Sequence, residues 1–184
     1  MRSGSSRRIV EPMAIRGTAP VSFLTVADLD GPHLRLLLDL AARMQREPLA
    51  WRDALRGETL ALLFEKASTR TRASFAAAAG RLGMTPLTLR PEELQMGRGE
   101  PLPDTARVLS SYAAAVAIRT FAHATIEEFA RHCTVPVINA LSDTHHPCQA
   151  LADLLTLRQC VGRLEGRSEE HTSELQSRFG ISYA

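Results

Sequence analysis

The stretch LALLFEKASTRTRASFAAAAG, residues 60–80, places a short apolar run, a polar segment and an alanine-rich run in direct succession. The apolar run at 60–64 is flanked by charged residues, which is typical of a strand covered on both faces. The alanine-rich run predicts a helix whose N-cap is Ser68. A strand that leads directly into a helix is one part of a βαβ unit, so the stretch predicts an α/β fold.

The same alternation continues along the chain. Strand-like segments recur at 85–89, 115–119 and 135–141, and helix-like segments at 27–46, 104–114, 125–133 and 146–159. Thr125 and Glu128 have the spacing of a capping box, which predicts the start of one helix. Connections too long for hairpins imply right-handed crossovers. The predicted fold is therefore a parallel sheet of about four strands flanked by helices, with its ligand site beyond the carboxyl ends of the strands.

The polar segment of the opening stretch predicts an anion site. The first amides of the helix after Ser68 have no intrahelical acceptors, and the hydroxyls of Thr69 and Thr71 add donors. Arg70 can hold two phosphate oxygens at once. Arg70 and Arg72 lie in the first turn, where a cation opposes the helix dipole, and an anion would compensate that cost. The alternative is an ordinary capped helix whose arginines lie in water.

Further polar residues follow other predicted strands at the same edge of the sheet. Arg119 ends one strand, and the segment His146, Pro147, Cys148 and Gln149 begins a helix after another. A histidine there can hydrogen-bond a carbonyl oxygen, and the side-chain oxygen of Gln149 can accept from an amide. Each is also compatible with a plain strand-end or helix-start residue. His145 and His146 are adjacent and point apart, so no metal site is predicted.

Composition excludes several classes of protein. The 184 residues carry 22 basic and 20 acidic side chains, a formal net charge of +2, which disfavours nucleic-acid binding. The three cysteines include no CxxC pair, so we expect neither disulfides nor zinc and a reducing, cytoplasmic setting. No apolar run approaches the roughly 18 residues of a membrane span. A soluble protein is predicted.

Three motifs together resemble the carbamoyl-phosphate domain of the transcarbamylases, the aspartate/ornithine carbamoyltransferase family. They are FEKASTRTR at 64–72, ELQMGRGEPLPDTARVLSSYA at 93–113 and HPCQALADLLTL at 146–157. The resemblance extends from about residue 23 to about residue 166. The tripeptide Phe-Glu-Lys is similar to the ornithine members of the family. The implied reaction transfers a carbamoyl group from carbamoyl phosphate to the δ-amine of L-ornithine, yielding L-citrulline and phosphate for arginine biosynthesis.

The resemblance also implies roles for individual residues, without a cofactor or metal. Ser68, Thr69, Arg70 and Thr71 hold the phosphate, and Pro147 and Cys148 belong to the same binding segment as His146. The implied catalytic residues are Arg70, Arg119, His146 and Gln149. Arg119 bridges the phosphate and the carbamoyl oxygen, His146 supports that oxygen, and Gln149 orients the carbamoyl amide. By the same resemblance, Gln95 is the residue that each subunit contributes to the site of a neighbouring subunit in a catalytic homotrimer.

The predicted organisation has three parts. Residues 1–20 are rich in Arg, Ser and Gly and predict a disordered extension, and residues 21–166 form the carbamoyl-phosphate-binding domain. Residues 167–184 lack apolar periodicity. Back-translation of 167–177 resembles a sequencing-library adapter, so we interpret this tail as non-native, the alternative being a divergent natural terminus. The family's second domain, which binds ornithine through a His-Cys-Leu-Pro segment, has no counterpart here.

Two other functions stay open at this point. The chain could be a stand-alone anion-binding or regulatory half-protein. It could also belong to a carbamoyltransferase for another amine, because amine specificity lies in the second domain. In the favoured interpretation, the chain is a fragment that binds carbamoyl phosphate and is inactive alone.

Overall fold

The computed structural model describes residues 21–90, 93–94, 99–162 and 164. Strands and helices alternate along this part of the chain after a first helix. In chain order they are α1 (Gly31–Arg46), β1 (Thr59–Phe64), α2 (Thr69–Arg81), β2 (Thr85–Leu89), α3 (Leu102–Tyr112), β3 (Ala115–Arg119), α4 (His123–His132), β4 (Val137–Leu141) and α5 (Pro147–Val161).

The strands form one parallel sheet in the order β2-β1-β3-β4. The predicted fold class is therefore confirmed. From β1 the chain crosses through α2 to β2 on one side, whereas from β3 it crosses through α4 to β4 on the other side. The boundary between β1 and β3 is thus a switch point of the topology. In open parallel sheets, ligands bind in the crevice that forms at such a point, beyond the carboxyl ends of the strands.

Apolar residues cover both faces of the central strands. Along β1, Ala61 and Leu63 pack with α3 and α4, including the fully buried Phe129. The alternate residues Leu60 and Leu62 pack in a second cluster with side chains of α2. This division follows from the two-residue period of a strand. A continuous apolar run with core on both sides explains why β1 lies inside the sheet rather than at its edge.

Most predicted element boundaries agree with the structure within a few residues. The strands at 85–89 and 115–119 have the predicted bounds, and Ser68 is the N-cap of α2 as predicted. The first helix begins later than the predicted residue 27, because the Asp30 carboxylate accepts from the amide of His33 at 2.8 Å and caps α1 there. Within the described residues, no helix combines the length and apolar character needed to cross a membrane.

The predicted start of α4 was wrong. The helix begins at His123, two residues before Thr125, and its N-cap Ala122 contributes no side-chain bond. The amide of His123 instead donates to the carboxylate of Asp143, 3.0 Å away and 20 residues further along the chain. A long-range carboxylate therefore satisfies the helix start, and the capping-box spacing of Thr125 with Glu128 does not define it.

Replacing Phe129 with alanine should lower the free energy of unfolding by about 3–5 kcal/mol, because it removes a fully buried aromatic ring and leaves a cavity. Urea denaturation followed by circular dichroism measures this. Phe121 provides a matched control, since it is 61% exposed. Phe121→Ala should cost less than about 1 kcal/mol, mainly through the lost contact of Lys66 with its ring. Equal costs for the two variants would contradict the described core.

Candidate functional site

A cleft of about 1260 Å³ lies beyond the carboxyl ends of β1, β3 and β4. Its walls come from the start of α2, the end of β3, the segment after β4 and the first turns of α5. The polar side chains in this lining are Lys66, Ser68, Thr69, Arg70, Thr71, Ser74, Arg119, Ser142, Asp143, His146, Gln149 and Asp153. The cleft therefore occupies the crevice that the switch point of the sheet predicts.

The start of α2 presents hydrogen-bond donors to this cleft. Ser68 has extended backbone angles typical of an N-cap, yet its side chain makes no capping bond. No acidic residue lies in the first turn of α2 to compensate the positive end of the helix dipole. The amides that follow Ser68 and the hydroxyl of Thr69 are thus placed to bind an anion.

Arg119 is the cation at the centre of the site. Its Nη1 donates to the hydroxyl of Thr71 at 3.1 Å, which joins the end of β3 to the first turn of α2. Its Nε is buried and has no hydrogen-bond partner among the described residues, nor does its guanidinium pair with a carboxylate there. Burial lowers the pKa of this guanidinium from its ordinary value. A partly desolvated cation without a counter-ion favours binding of an anion.

His146 is the N-cap of α5, and Pro147 occupies the first helical position, where a missing amide hydrogen costs nothing. The Nδ1 atom of His146 is buried without a partner among the described residues. Burial lowers the pKa of this imidazole below its ordinary 6.5, and the positive charge of Arg119 lowers it further, against an opposing effect of Asp153. His146 is therefore neutral near pH 7. A neutral imidazole can donate a hydrogen bond to an uncharged oxygen or accept one from a hydroxyl.

Cys148 and Gln149 follow on the first turn of α5. Burial raises the pKa of the Cys148 thiol to about 11, and its Sγ donates to the carbonyl of Asn139 at 3.6 Å. The thiol thus stays protonated at neutral pH and is not a nucleophile. The side-chain nitrogen of Gln149 donates to the carboxylate of Asp153 at 2.9 Å.

The chain segments that carry these side chains are held in place by further hydrogen bonds. The amide of Glu65 donates to the carbonyl of Arg119 at 2.8 Å, and the hydroxyl of Thr120 donates to the Glu65 carboxylate. On the other side of the cleft, the carbonyl of His145 accepts from the Ser142 amide at 2.9 Å and from the Asn139 side chain at 3.3 Å. Polar bonds therefore fix both chain segments that carry site residues.

The structure brings most of the predicted site residues together. The cleft is lined by Ser68, Thr69, Arg70, Thr71, Arg119, His146, Cys148 and Gln149. Pro147 is the exception: its ring is buried beneath the helix start and does not line the cleft. Gln95 lies outside the described residues. Arg72 shares the first turn of α2 with Arg70 but lines an adjoining cavity of about 340 Å³, together with residues 88–90. The two cavities share residues 66–69.

Five polar residues of the lining were not singled out from the sequence: Lys66, Ser74, Ser142, Asp143 and Asp153. Asp153 stands four residues after Gln149, a spacing that places both on one face of a helix and could have indicated the pair. Lys66 lies within the motif at 64–72, where no role was assigned to it, and it contacts the ring of Phe121. Asp143 has no local signal, because its partner is the distant start of α4.

The chain matches the family described as "Aspartate/ornithine carbamoyltransferase, carbamoyl-P binding domain" over residues 22–159. A protein of Acidothermus cellulolyticus named ornithine carbamoyltransferase is 51% identical over 144 residues, which are 78% of this chain and 46% of that protein. Relatives of this kind are about twice as long, since the chain spans about half the length of those it matches.

Solved structures give the same result. Ornithine carbamoyltransferase from Thermus thermophilus is similar with a TM-score of 0.75 and 44% identity, over 81% of this chain and 52% of that one. The anabolic ornithine carbamoyltransferase from Campylobacter jejuni has a TM-score of 0.73 and 41% identity, over 79% of this chain and 47% of that one.

The depressed pKa of His146 predicts a pH dependence of stability. Between the lowered pKa of the folded chain and the ordinary value near 6.5, the unfolded chain binds protons that the folded chain does not. This contribution to stability is present above about pH 6.5 and is lost as the pH falls toward the folded pKa. His146→Gln should therefore flatten the decline in unfolding free energy between about pH 7 and about pH 5.5. Superimposable pH curves for the two proteins would exclude this effect.

Proposed function

The chain belongs to the aspartate/ornithine carbamoyltransferase family, and we propose that it forms the carbamoyl-phosphate-binding part of an ornithine carbamoyltransferase. The observation that carries this proposal is the partly buried guanidinium of Arg119, which has no counter-ion among the described residues and faces the start of α2. Family membership supplies the identity of the anion. The names of the similar proteins supply the amine, ornithine.

The phosphate group would bind at the start of α2. The main-chain amides after Ser68 and the hydroxyls of Ser68, Thr69 and Thr71 offer several donors within one helical turn. Arg70 contributes a second guanidinium beside that of Arg119. Charge-assisted hydrogen bonds of this kind contribute about 1.5–3 kcal/mol each, so a few of them suffice for specific binding of a small phosphate compound.

The carbamoyl group would lie toward α5. Its carbonyl oxygen would accept from Arg119 and from neutral His146, and its amino group would donate to the side-chain oxygen of Gln149. Cys148 lines the same wall as an uncharged thiol, and Pro147 fixes the first turn of α5 from below. These roles agree with those that the motif resemblance implies.

Catalysis would be electrostatic. The amine of ornithine attacks the carbonyl carbon, negative charge develops on the carbonyl oxygen, and phosphate leaves as the carbon–oxygen bond to it breaks. Fixed donors at the carbonyl oxygen and cations at the phosphate stabilise both charges as they develop. The amine loses a proton during the transfer, the departing phosphate takes it up as hydrogen phosphate, and the other product is citrulline. Residues that bind ornithine would come from the second domain of a full-length enzyme.

Several finer features belong to this proposal. We place the reaction in arginine biosynthesis and in the cytoplasm, and the word "anabolic" in the name of the Campylobacter jejuni protein supports the first of these. We also propose a homotrimer in which Gln95 of one subunit completes the site of the next. Sedimentation velocity on the full-length enzyme tests the trimer directly.

The domain organisation is tested by resequencing the source gene across codon 167. We propose that residues 21–166 form the carbamoyl-phosphate domain and that the reading frame in the genome continues into an ornithine-binding domain instead of RSEEHTSELQSRFGISYA. A genomic frame that encodes this tail would contradict the proposal and favour a natural anion-binding half-protein.

Binding of carbamoyl phosphate to the 184-residue chain tests the site itself. Arg70→Gln should weaken binding by roughly tenfold to a hundredfold in isothermal titration calorimetry, because a cation is lost from the phosphate site. Arg81→Gln is a matched control, since it removes the same charge from the exposed end of the same helix. It should change the affinity by less than about twofold.

Two outcomes would count against this assignment. An unchanged affinity of Arg70→Gln would exclude the start of α2 as the phosphate site. Equal losses for Arg70→Gln and Arg81→Gln would show that only the net charge of the chain attracts the ligand.

A further inference from the structure

The side-chain amide of Gln149 is held in one orientation. Its nitrogen donates to Oδ1 of Asp153 at 2.9 Å, one helical turn further along α5, and both residues line the cleft. A carboxylate only accepts hydrogen bonds, so it binds the nitrogen end of an amide and rejects the oxygen end. The oxygen of Gln149 is therefore the end that remains available to a ligand.

The position of Asp153 is unfavourable for anion binding in itself. Its carboxylate lines a cleft that also contains Arg70, Arg119 and the start of α2, and it pairs with no cation among the described residues. A negative charge here repels a phosphate compound. Asp153 is exposed, and its one side-chain hydrogen bond among the described residues is the bond from Gln149.

We propose that Asp153 is a positioning residue that turns the oxygen of Gln149 toward the amino group of the carbamoyl ligand, and so makes the site selective for carbamoyl phosphate over acyl phosphates that lack an N–H. This inference rests on the proposed function. Asp153 itself touches neither the phosphate nor the reacting carbon. It acts through the direction of one hydrogen bond.

Acetyl phosphate is the matched probe for this selectivity, because it carries a methyl group where carbamoyl phosphate carries an amino group. The ratio of the two dissociation constants isolates the contact with Gln149. Any change in charge or folding at Asp153 acts on both ligands alike, so this ratio separates positioning from a merely structural or electrostatic role. Both constants are measured by calorimetry on the 184-residue chain at low temperature, with inorganic phosphate as a third ligand.

Two substitutions at Asp153 should lower the preference for carbamoyl phosphate in steps. In Asp153→Asn the new side chain pairs with either end of the amide, so about half of the molecules present the wrong end and the preference falls about twofold. In Asp153→Lys the new side chain only donates, which turns the nitrogen of Gln149 toward the ligand. The preference should then fall at least about tenfold, whereas inorganic phosphate should bind equally well or more tightly.

The outcomes separate this inference from its premise. If the unchanged chain binds carbamoyl phosphate no better than acetyl phosphate, the proposed role of Gln149 in the carbamoyl site fails, and Asp153 has nothing to position. If the unchanged chain prefers carbamoyl phosphate and both variants keep that preference while still binding inorganic phosphate, the proposed function stands and the positioning role of Asp153 is overturned. If Asp153→Lys fails to fold, the decline expected for Asp153→Asn decides alone.

Discussion

The site depends on one feature of the topology: after β1 and after β3, which are neighbours, the chain continues to opposite sides of the sheet. Because the two strands pair in parallel, with Phe64 beside Arg119, their carboxyl ends release two chain segments at the same point. One segment turns into α2 and the other into α4, and the crevice between them is left open. The start of α2 and the guanidinium of Arg119 therefore meet without a glycine-rich loop. Bonds from Arg119 to Thr71 and from Thr120 to Glu65 then join the two segments.

Hydrogen bonding is distributed unevenly around this crevice. The supporting segments satisfy most of their polar groups, as the bonds of Glu65 with Thr120 and of Ser142 with His145 illustrate. Among the described residues, four buried side-chain atoms lack a partner. The Nε of Arg119 and the Nδ1 of His146 belong to residues that line the cleft, whereas the Nε1 of Trp51 and the Oδ1 of Asn139 do not. Leaving a buried donor or acceptor without a partner costs about 1–3 kcal/mol. At the two cleft residues, a bound anion and its carbonyl oxygen would supply the missing hydrogen-bond partners. A preorganised site differs in this way from an incompletely bonded core.

The sequence predicted the fold more completely than the site. The strands at 85–89 and 115–119 were located correctly: Gly83 and Arg90 flank the first, and Arg119 ends the apolar run of the second. The meeting of residues 68–71 with Arg119 and His146 was also predicted, since carboxyl ends of parallel strands share one edge. Contacts between distant residues were beyond reach: Asp143 caps α4 from 20 residues away and overrides the local signal at Thr125. The burial of Pro147 likewise depends on packing that no local pattern encodes.

The mixture of charges in the cleft favours a site that discriminates between acyl phosphates as well as binding phosphate tightly. A site selected for tight phosphate binding alone would gain from losing Asp153, because its carboxylate repels the ligand that Arg70 and Arg119 attract. In the proposed reaction, tighter binding of the ground state and transition state alike would lower KM without raising kcat. Asp153 accepts a bond from the nitrogen of Gln149. In the proposed role, it weakens phosphate binding and directs the oxygen of Gln149 toward the amino group of the ligand. More of the binding energy then comes from the part of the ligand that reacts. In this proposal, Asp153 lowers the affinity for the phosphate group and improves the orientation of the carbamoyl group.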